Sequence, residues 1–240
     1  MAHLKGPDRK TFVAKMFGRI ADRYDMMNTI MTCGMHHYWR KRAAFMACHE
    51  LKGQNILDVA SGTGDLAIEL VRKSPSVKVV ALDLTPKMLR LAFDKAVKKG
   101  LSNKIQPAIG DALELPFADN LFSSVTIGFG IRNIPDVNKA IREMTRVIVP
   151  GGKIVILEIV QREGILSPAT NFYFNAIIPL LGRIIAKDSE AYNYLRDSVE
   201  FFPTADGLTH LMAETGLSNI TCKTFGLGTV AIHAGTKPEA

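Results

Sequence analysis

LDVASGTGDLAIEL, residues Leu57 to Leu70, joins an apolar run to a helical pattern through two glycines and several small or hydroxylated residues. A glycine-rich bend between a strand and a helix lets the backbone approach a ligand closely and turns the helix's free N–H groups toward it. Gly62-x-Gly64-x-x-Ala67 satisfies the dinucleotide fingerprint G-x-G-x-x-G/A, so the stretch announces an adenosine-bearing cofactor without choosing one. Asp83, about twenty residues further on, is placed to accept two hydrogen bonds from ribose hydroxyls and fits either kind of cofactor.

Outward from this bend, short β-branched runs alternate with helical patterns, which argues for parallel β-α units in a sheet covered on both faces. The strand candidates are NILDVA, VKVVALDL, KIQPAIG, LFSSVTIGFG and KIVILEIV, with NITCKTFG and TVAIHAG near the end. DLAIELVRK reads as a helix, and Thr85-Pro86 opens another with a hydroxyl cap and a proline at its first position. Pro135 opens DVNKAIREMTRVIV, whose Val137, Ile141, Met144 and Val147 share one face; the turn Pro150-Gly151-Gly152 ends it. After Val160 the alternation breaks into an aromatic-rich insertion, and Thr204 caps a last helix. The expected organisation is one domain over residues 1–240. Residues 1–50 form an N-terminal helical cap, 54–160 a cofactor-binding core, 161–203 a lid over the substrate, and 204–240 a C-terminal helix and strands.

At 240 residues and 47% hydrophobic, the chain can bury one sizeable core. The excess of 30 Lys and Arg over 23 Asp and Glu lies on apparent helix faces without interleaved aromatics, which argues for solvated faces and against a nucleic-acid partner. Cys33, Cys48 and Cys222 are too scattered for a disulfide framework or a C-x-x-C site, and fit a reducing cytoplasm. MAHLKGPDRK lacks the apolar core of a signal peptide, and no apolar run approaches the roughly 18 residues of a spanning helix. Membrane contact is therefore expected to be peripheral at most, at the inner face. Adjacent His36 and His37 should point apart and chelate no metal; no metal is expected. Met26, Met27, Met31 and Met35 form a stripe suited to helix core or to an isoprenoid tail.

The third strand separates the cofactors. It ends in Gly110-Asp111-Ala112, followed by Leu115-Pro116-Phe117, where a carboxylate could take an adenine amino proton between apolar flanks. Only two strands follow the insertion, with no appended substrate domain. Together these features resemble the class I S-adenosylmethionine-dependent methyltransferases. The resemblance implies an α/β, Rossmann-like seven-stranded sheet ending in an antiparallel strand, with helices on both faces and D-V-A-S-G-T-G holding the methionine end of S-adenosyl-L-methionine. The cofactor-binding residues so expected are Asp58, Ala60, Gly62, Thr63, Gly64, Asp65, Asp83, Leu84, Asp111, Ala112 and Gly128.

Further stretches narrow the class to a family. Tyr24-Asp25-Met26-Met27-Asn28, continuing through Thr32-Cys33-Gly34-Met35-His36 to Trp39, resembles a signature of the ubiquinone/menaquinone biosynthesis C-methyltransferases. So do Arg146 to Gly152 with Glu158, Phe129-Gly130-Ile131-Arg132-Asn133, and Tyr192-Asn193-Tyr194-Leu195 with Ser198-Val199. Thr32 and Val149 stand where the family usually has Ser and Lys, and Gly128 stands where many members carry a cofactor-contacting Ser.

The resemblance implies C-methylation of a polyprenyl quinol ring in menaquinone or ubiquinone biosynthesis, with demethylmenaquinol preferred. Methyl transfer from a sulfonium needs in-line geometry and no metal, whereas a ring carbon attacks only when an adjacent hydroxyl is helped toward its anion. Arg132 is the expected cation near that developing phenolate, Asn133 the group orienting a hydroxyl or water, and Tyr24 a proton relay if the N-terminal helix folds across the site. In the lid, Phe172, Tyr173, Phe174, Ile177, Ile178, Leu180, Leu181, Ile184 and Ile185 would pack on the sheet or admit the quinol from a bilayer, with Arg183 and Lys187 near anionic headgroups. Two other readings use the same residues: a methyltransferase for another small or lipid acceptor, and a non-catalytic cofactor-binding or RNA-associated module. Naphthoquinol and benzoquinol share the same hydroxyl handle, and homo-oligomerisation stays open.

Overall fold

A computed structural model describes residues 6–161 and 189–239. Seven strands form one sheet in the order β3-β2-β1-β4-β5-β7-β6. The strands β1 (Asn55–Val59), β2 (Lys78–Asp83), β3 (Ile105–Ile109), β4 (Phe122–Gly128) and β5 (Ile148–Ile159) pair in parallel. Their inner members are buried on both faces, which is why they read as continuous apolar runs. The last two strands, β6 (Ser218–Phe225) and β7 (Val230–Thr236), are joined by a short turn. A connection that short permits only antiparallel pairing of β6 with β7, and β7 also runs against β5, as expected.

Helices cover both faces. Trp39, Ala43, Ala44 and Ala47 of α2 (Met35–Cys48) pack with Leu66, Leu70 and Val71 of α3 (Asp65–Lys73) and with Ala96 of α4 (Pro86–Lys98). The alanine face of α2 lets two backbones approach closely. On the opposite face, Ile141 and Met144 of α5 (Val137–Val147) meet Leu208 and Met212 of the C-terminal helix Ala205–Glu214. That helix, α7, begins as expected: the Thr204 hydroxyl accepts the Gly207 N–H at 3.2 Å. The 26-residue α1 (Gly6–Met31) packs Met16, Ile20 and Met27 against Ala191 and Tyr194 of α6 (Ser189–Glu200). Met27 is thus core, whereas Met26 and Met35 are exposed. Of the expected lid, α6 is described; Phe172 to Ile185, with Arg183 and Lys187, lies outside the described residues.

Three local expectations are corrected. The Thr85 hydroxyl makes no cap bond at α4; instead the Asp83 carboxylate accepts the Thr85 N–H at 2.8 Å. At α5, Asp136 rather than Pro135 stands at the cap, accepting the Lys139 N–H at 2.9 Å. Nor does that helix run to Pro150. It stops at Val147 because Ile148 already pairs with Phe122, and Pro150-Gly151-Gly152 forms an irregularity inside β5, where the register jumps to Ser124 opposite Lys153.

The two glycines of the β1–α3 bend do different work. Both have positive φ, at +56° for Gly62 and +78° for Gly64. A Cβ on Gly62 would meet nothing within 4 Å, whereas one on Gly64 would lie 2.8 Å from the Ala92 Cβ and 3.3 Å from its Cα. Gly64 therefore sets the approach of α3 to α4. Each alanine substitution incurs the left-handed penalty of roughly 1–2 kcal/mol. Gly64→Ala should lose about 1–3 kcal/mol more than Gly62→Ala through overpacking, measured by urea denaturation.

Candidate active site

A cleft enclosing about 980 Å³, its mouth included, opens at the carboxyl ends of β1, β2 and β4. β1 lies between β2 and β4, so the chain leaves its neighbours in opposite directions and a crevice results. Asp58, Ala60, Gly62, Thr63, Asp65, Asp83, Leu84, Asp111, Ala112 and Gly128 line it, together with Tyr24 and Asn133. Of the expected residues, Gly64 and Arg132 are not on its wall. Ala60 and Phe129 adopt left-handed backbone at the ends of β1 and β4, with φ of 49° and 59°. Gly130 makes this possible, since a Cβ there would come within 2.7 Å of the Ala60 Cβ.

Two carboxylates form the floor. Asp58 is fully buried and accepts hydrogen bonds from Ser61 Oγ at 2.6 Å and Thr126 Oγ1 at 2.7 Å. Burial pushes its carboxyl up to about 6 despite those bonds. Asp83 accepts the Gly62 N–H at 2.8 Å on one oxygen and the Thr85 N–H on the other, tying the bend to β2; burial raises it as well. Each keeps acceptor capacity beyond these bonds. Gly128 contributes backbone, and a side chain there would meet Leu66 Cδ2 at 3.1 Å.

The N-terminal helices close over this floor through a chain of charges. Thr63 Oγ1 donates to Asp25 Oδ1 at 2.6 Å, and Lys95 Nζ bridges Asp25 Oδ2 at 2.6 Å and Asp65 Oδ1 at 2.5 Å. Asp65 Oδ2 faces Arg40 Nη1 at 3.3 Å. Burial alone would raise the Asp65 carboxyl, but Arg40 and Lys95 outweigh it and hold it below the usual range. Further along α1, Lys10 pairs with Asp111 at 2.6 Å, and Arg9 donates to the Arg132 carbonyl at 2.7 Å. Asp111 is therefore engaged by α1 where an adenine contact was expected. Val13, Ala14 and Phe17 of α1 add an apolar wall.

Sequence reading missed Arg40, Lys10 and that apolar wall. Arg40 directly follows Trp39 in the N-terminal signature, four residues after His36 on one helix face, which is the signal that could have found it. Lys10 had none. His36 is buried, with its pKa lowered to about 4 by burial and by the charges of Arg40 and His37. Thr32 Oγ1 donates to the Asn28 carbonyl at 2.7 Å and so accepts from His36 Nδ1 at 2.7 Å, an assignment that leaves Nε2 as the unprotonated nitrogen. The His36 and His37 rings do not point apart: their centroids lie 3.9 Å from each other. No cluster of three metal-ligating side chains occurs among the described residues.

Arg132 departs most from expectation. Its Nη1 is 2.5 Å from Glu158 Oε1, and its backbone N–H donates to Glu158 Oε2 at 3.2 Å. Burial pushes the Glu158 carboxyl up, and Arg132 is its countercharge. The guanidinium also donates to the Phe129 carbonyl at 2.6 Å, so it braces the turn that presents Asn133 instead of standing free for a substrate anion. Asn133 does reach the cleft, and its Oδ1 is buried without a hydrogen-bond partner.

The sequence pattern described as the ubiE/COQ5 methyltransferase family matches residues 4–237. A curated ubiquinone/menaquinone biosynthesis C-methyltransferase UbiE of Rickettsia prowazekii is 40% identical over 234 residues, covering 95% of this chain and 94% of that protein. A protein of the same name from Pseudomonas paraeruginosa is 39% identical over 228 residues, covering 94% and 89%. Among solved structures, a possible histamine N-methyltransferase from Thermotoga maritima superposes with a TM-score of 0.63 at 19% identity, covering 93% of this chain and 99% of that one. That likeness concerns the fold alone.

Two outcomes follow from the buried charges. The Asp58 carboxyl is raised in the folded state from 3.8 to about 6, so its penalty is full above about pH 6 and disappears as pH falls toward the unfolded value. Between pH 7 and pH 5 the ligand-free protein should gain about 1 kcal/mol relative to Asp58→Asn, as read by denaturant melts. Arg132→Ala strands a buried carboxylate and should cost about 3–5 kcal/mol; adding Glu158→Gln should recover much of it.

Proposed function

We propose the reaction of this chain from one premise: it belongs to the ubiE/COQ5 methyltransferase family. The reaction is S-adenosylmethionine-dependent C-methylation of a polyprenylated quinol ring in respiratory quinone biosynthesis, with demethylmenaquinol the preferred acceptor. The observation that carries it is a single cleft lined both by charged groups suited to a zwitterionic nucleoside and by apolar side chains suited to a flat ring. Gly62 leaves open space for close approach, and Asp58 and Asp83 keep free lone pairs toward an ammonium and a ribose. Val13, Ala14, Phe17, Ile134 and Pro135 offer no side-chain donor to methoxy oxygens, which favours a naphthoquinol over a benzoquinol.

The cofactor supplies an electrophilic methyl group on a sulfonium. The protein's part is to exclude water, hold the ring in line and assist loss of the hydroxyl proton that activates the neighbouring carbon. Asn133 Oδ1, buried and unpartnered, is the acceptor for that hydroxyl. Tyr24 on α1 stands on the same cleft as a proton relay, and Arg132 acts at one remove by fixing the Phe129–Asn133 turn.

No helix among the described residues is long and apolar enough to cross a membrane. A polyprenyl acceptor must nevertheless be drawn from a bilayer, and the 161–203 segment is the part of the chain we assign to that contact, at the inner, cytoplasmic face. Free Cys33, Cys48 and Cys222 suit a reducing compartment.

S-adenosylhomocysteine should raise the melting temperature while NAD should not. With labelled S-adenosylmethionine and both reduced demethylquinols side by side, label should enter the naphthoquinol faster. Equal or faster labelling of the benzoquinol overturns the preference, and no labelled product overturns the activity. Asn133→Ala should lower kcat by about 10²-fold or more with S-adenosylhomocysteine affinity nearly intact.

A further inference from the structure

We infer that Arg40 binds the carboxylate of the cofactor's amino-acid end, making α2 a determinant of which adenosyl ligands the cleft accepts. The inference rests on the S-adenosylmethionine reading above. Arg40 lines the cleft although it is only 5% exposed. Its guanidinium lies over the Phe129 ring, 5.5 Å from the centroid, which fixes the plane in which its N–H groups point. Such a rigid fork matches the two oxygens of a carboxylate.

The charge balance around it is incomplete in one particular place. Arg40 Nη1 is buried and makes no hydrogen bond, and its ion pair with Asp65 is long at 3.3 Å. Asp65 is paired on its other oxygen as well, with Lys95 Nζ at 2.5 Å, so it keeps a countercharge if Arg40 turns to a ligand. A buried guanidinium nitrogen left open in this way is costly unless an anion arrives to take its protons.

The surroundings say which anion. Asp58 and Asp65 share the wall with Arg40, and Arg40 is among the charges that act on the Asp58 carboxyl. Two carboxylates would repel a phosphate or any other polyanion. A zwitterion meets both demands at once, placing its carboxylate on Arg40 and its ammonium on Asp58, whose buried charge a cation stabilises. An α-amino acid carries those two groups on one carbon. His36, the other titratable group on this face of α2, is neutral and adds no competing charge.

The test is calorimetric binding of S-adenosylhomocysteine and of its decarboxylated analogue, which keeps the ammonium and loses only the carboxylate. The wild-type protein should prefer S-adenosylhomocysteine by about 10-fold or more. Arg40→Met, which keeps an apolar stem on Phe129, should weaken S-adenosylhomocysteine by about 10- to 100-fold and leave the analogue unchanged, so that the preference collapses. Asp58→Asn should weaken both ligands and keep the preference. Arg40→Lys retains charge without the fork and should recover part of it, which provides a reading even if the methionine variant folds poorly. Equal loss of both ligands in Arg40→Met, or no loss of S-adenosylhomocysteine, overturns the assignment. Failure of the wild type to bind either ligand overturns the cofactor reading itself.

Discussion

The run of charges from Thr63 through Asp25, Lys95 and Asp65 to Arg40 is the constraint on which the site depends. It joins five separate pieces of chain: the glycine bend, α1, α4, the start of α3, and α2. The sheet alone supplies a crevice with an exposed floor. Lys95, bridging two carboxylates, draws α1 over that floor and turns the crevice into an enclosed cleft. Its members are partly buried, so these attractions are screened less than surface pairs would be.

Closure by α1 explains the shape of the rest. Lys10 on Asp111 and Arg9 on the Arg132 carbonyl fasten the first turns of that helix, while Asp25 fastens it near its end. Between them Val13, Ala14 and Phe17 face the cleft, and Met16, Ile20 and Met27 face α6. One helix thus turns one side to the cleft and the other to α6. Its polar fastenings are the kind of contact that an entering ligand can exchange for its own.

The floor stores its readiness as unfavourable charge. Asp58 is buried with only hydroxyl groups as hydrogen-bond partners, Arg40 Nη1 makes no hydrogen bond and only the long contact with Asp65, and Asn133 Oδ1 has no hydrogen-bond partner. Each costs stability in the ligand-free protein and gives a ligand something to satisfy. Arg132 and Glu158 illustrate the opposite arrangement, a buried ion pair at 2.5 Å whose charges answer each other within the fold. Residues of similar chemistry on adjacent turns therefore differ in role according to whether their partner is built into the fold.

Much of the fold was legible in the residues themselves. Buried parallel strands read as apolar runs, a short connection dictates an antiparallel hairpin, and positive-φ glycines mark a bend: all are local consequences of backbone chemistry, visible in one stretch at a time. The same locality made Asp58, Asp83 and Asn133 readable as cleft residues, since each ends a strand or follows one. Gly64 and Arg132 lie off the cleft wall because identical local signals serve ligand or packing, and their neighbours Ala92 and Glu158 are 28 and 26 residues away. The hydroxyl cap at Thr85 and the helix end at Pro150 failed for the same reason: the Asp83 carboxylate and the Phe122 pairing compete with the local rule. What the sequence alone determined was the sheet, its bend and the class of cofactor it can approach. The tertiary structure alone decided which charges are answered and which are left open, because that depends on where distant segments come to rest.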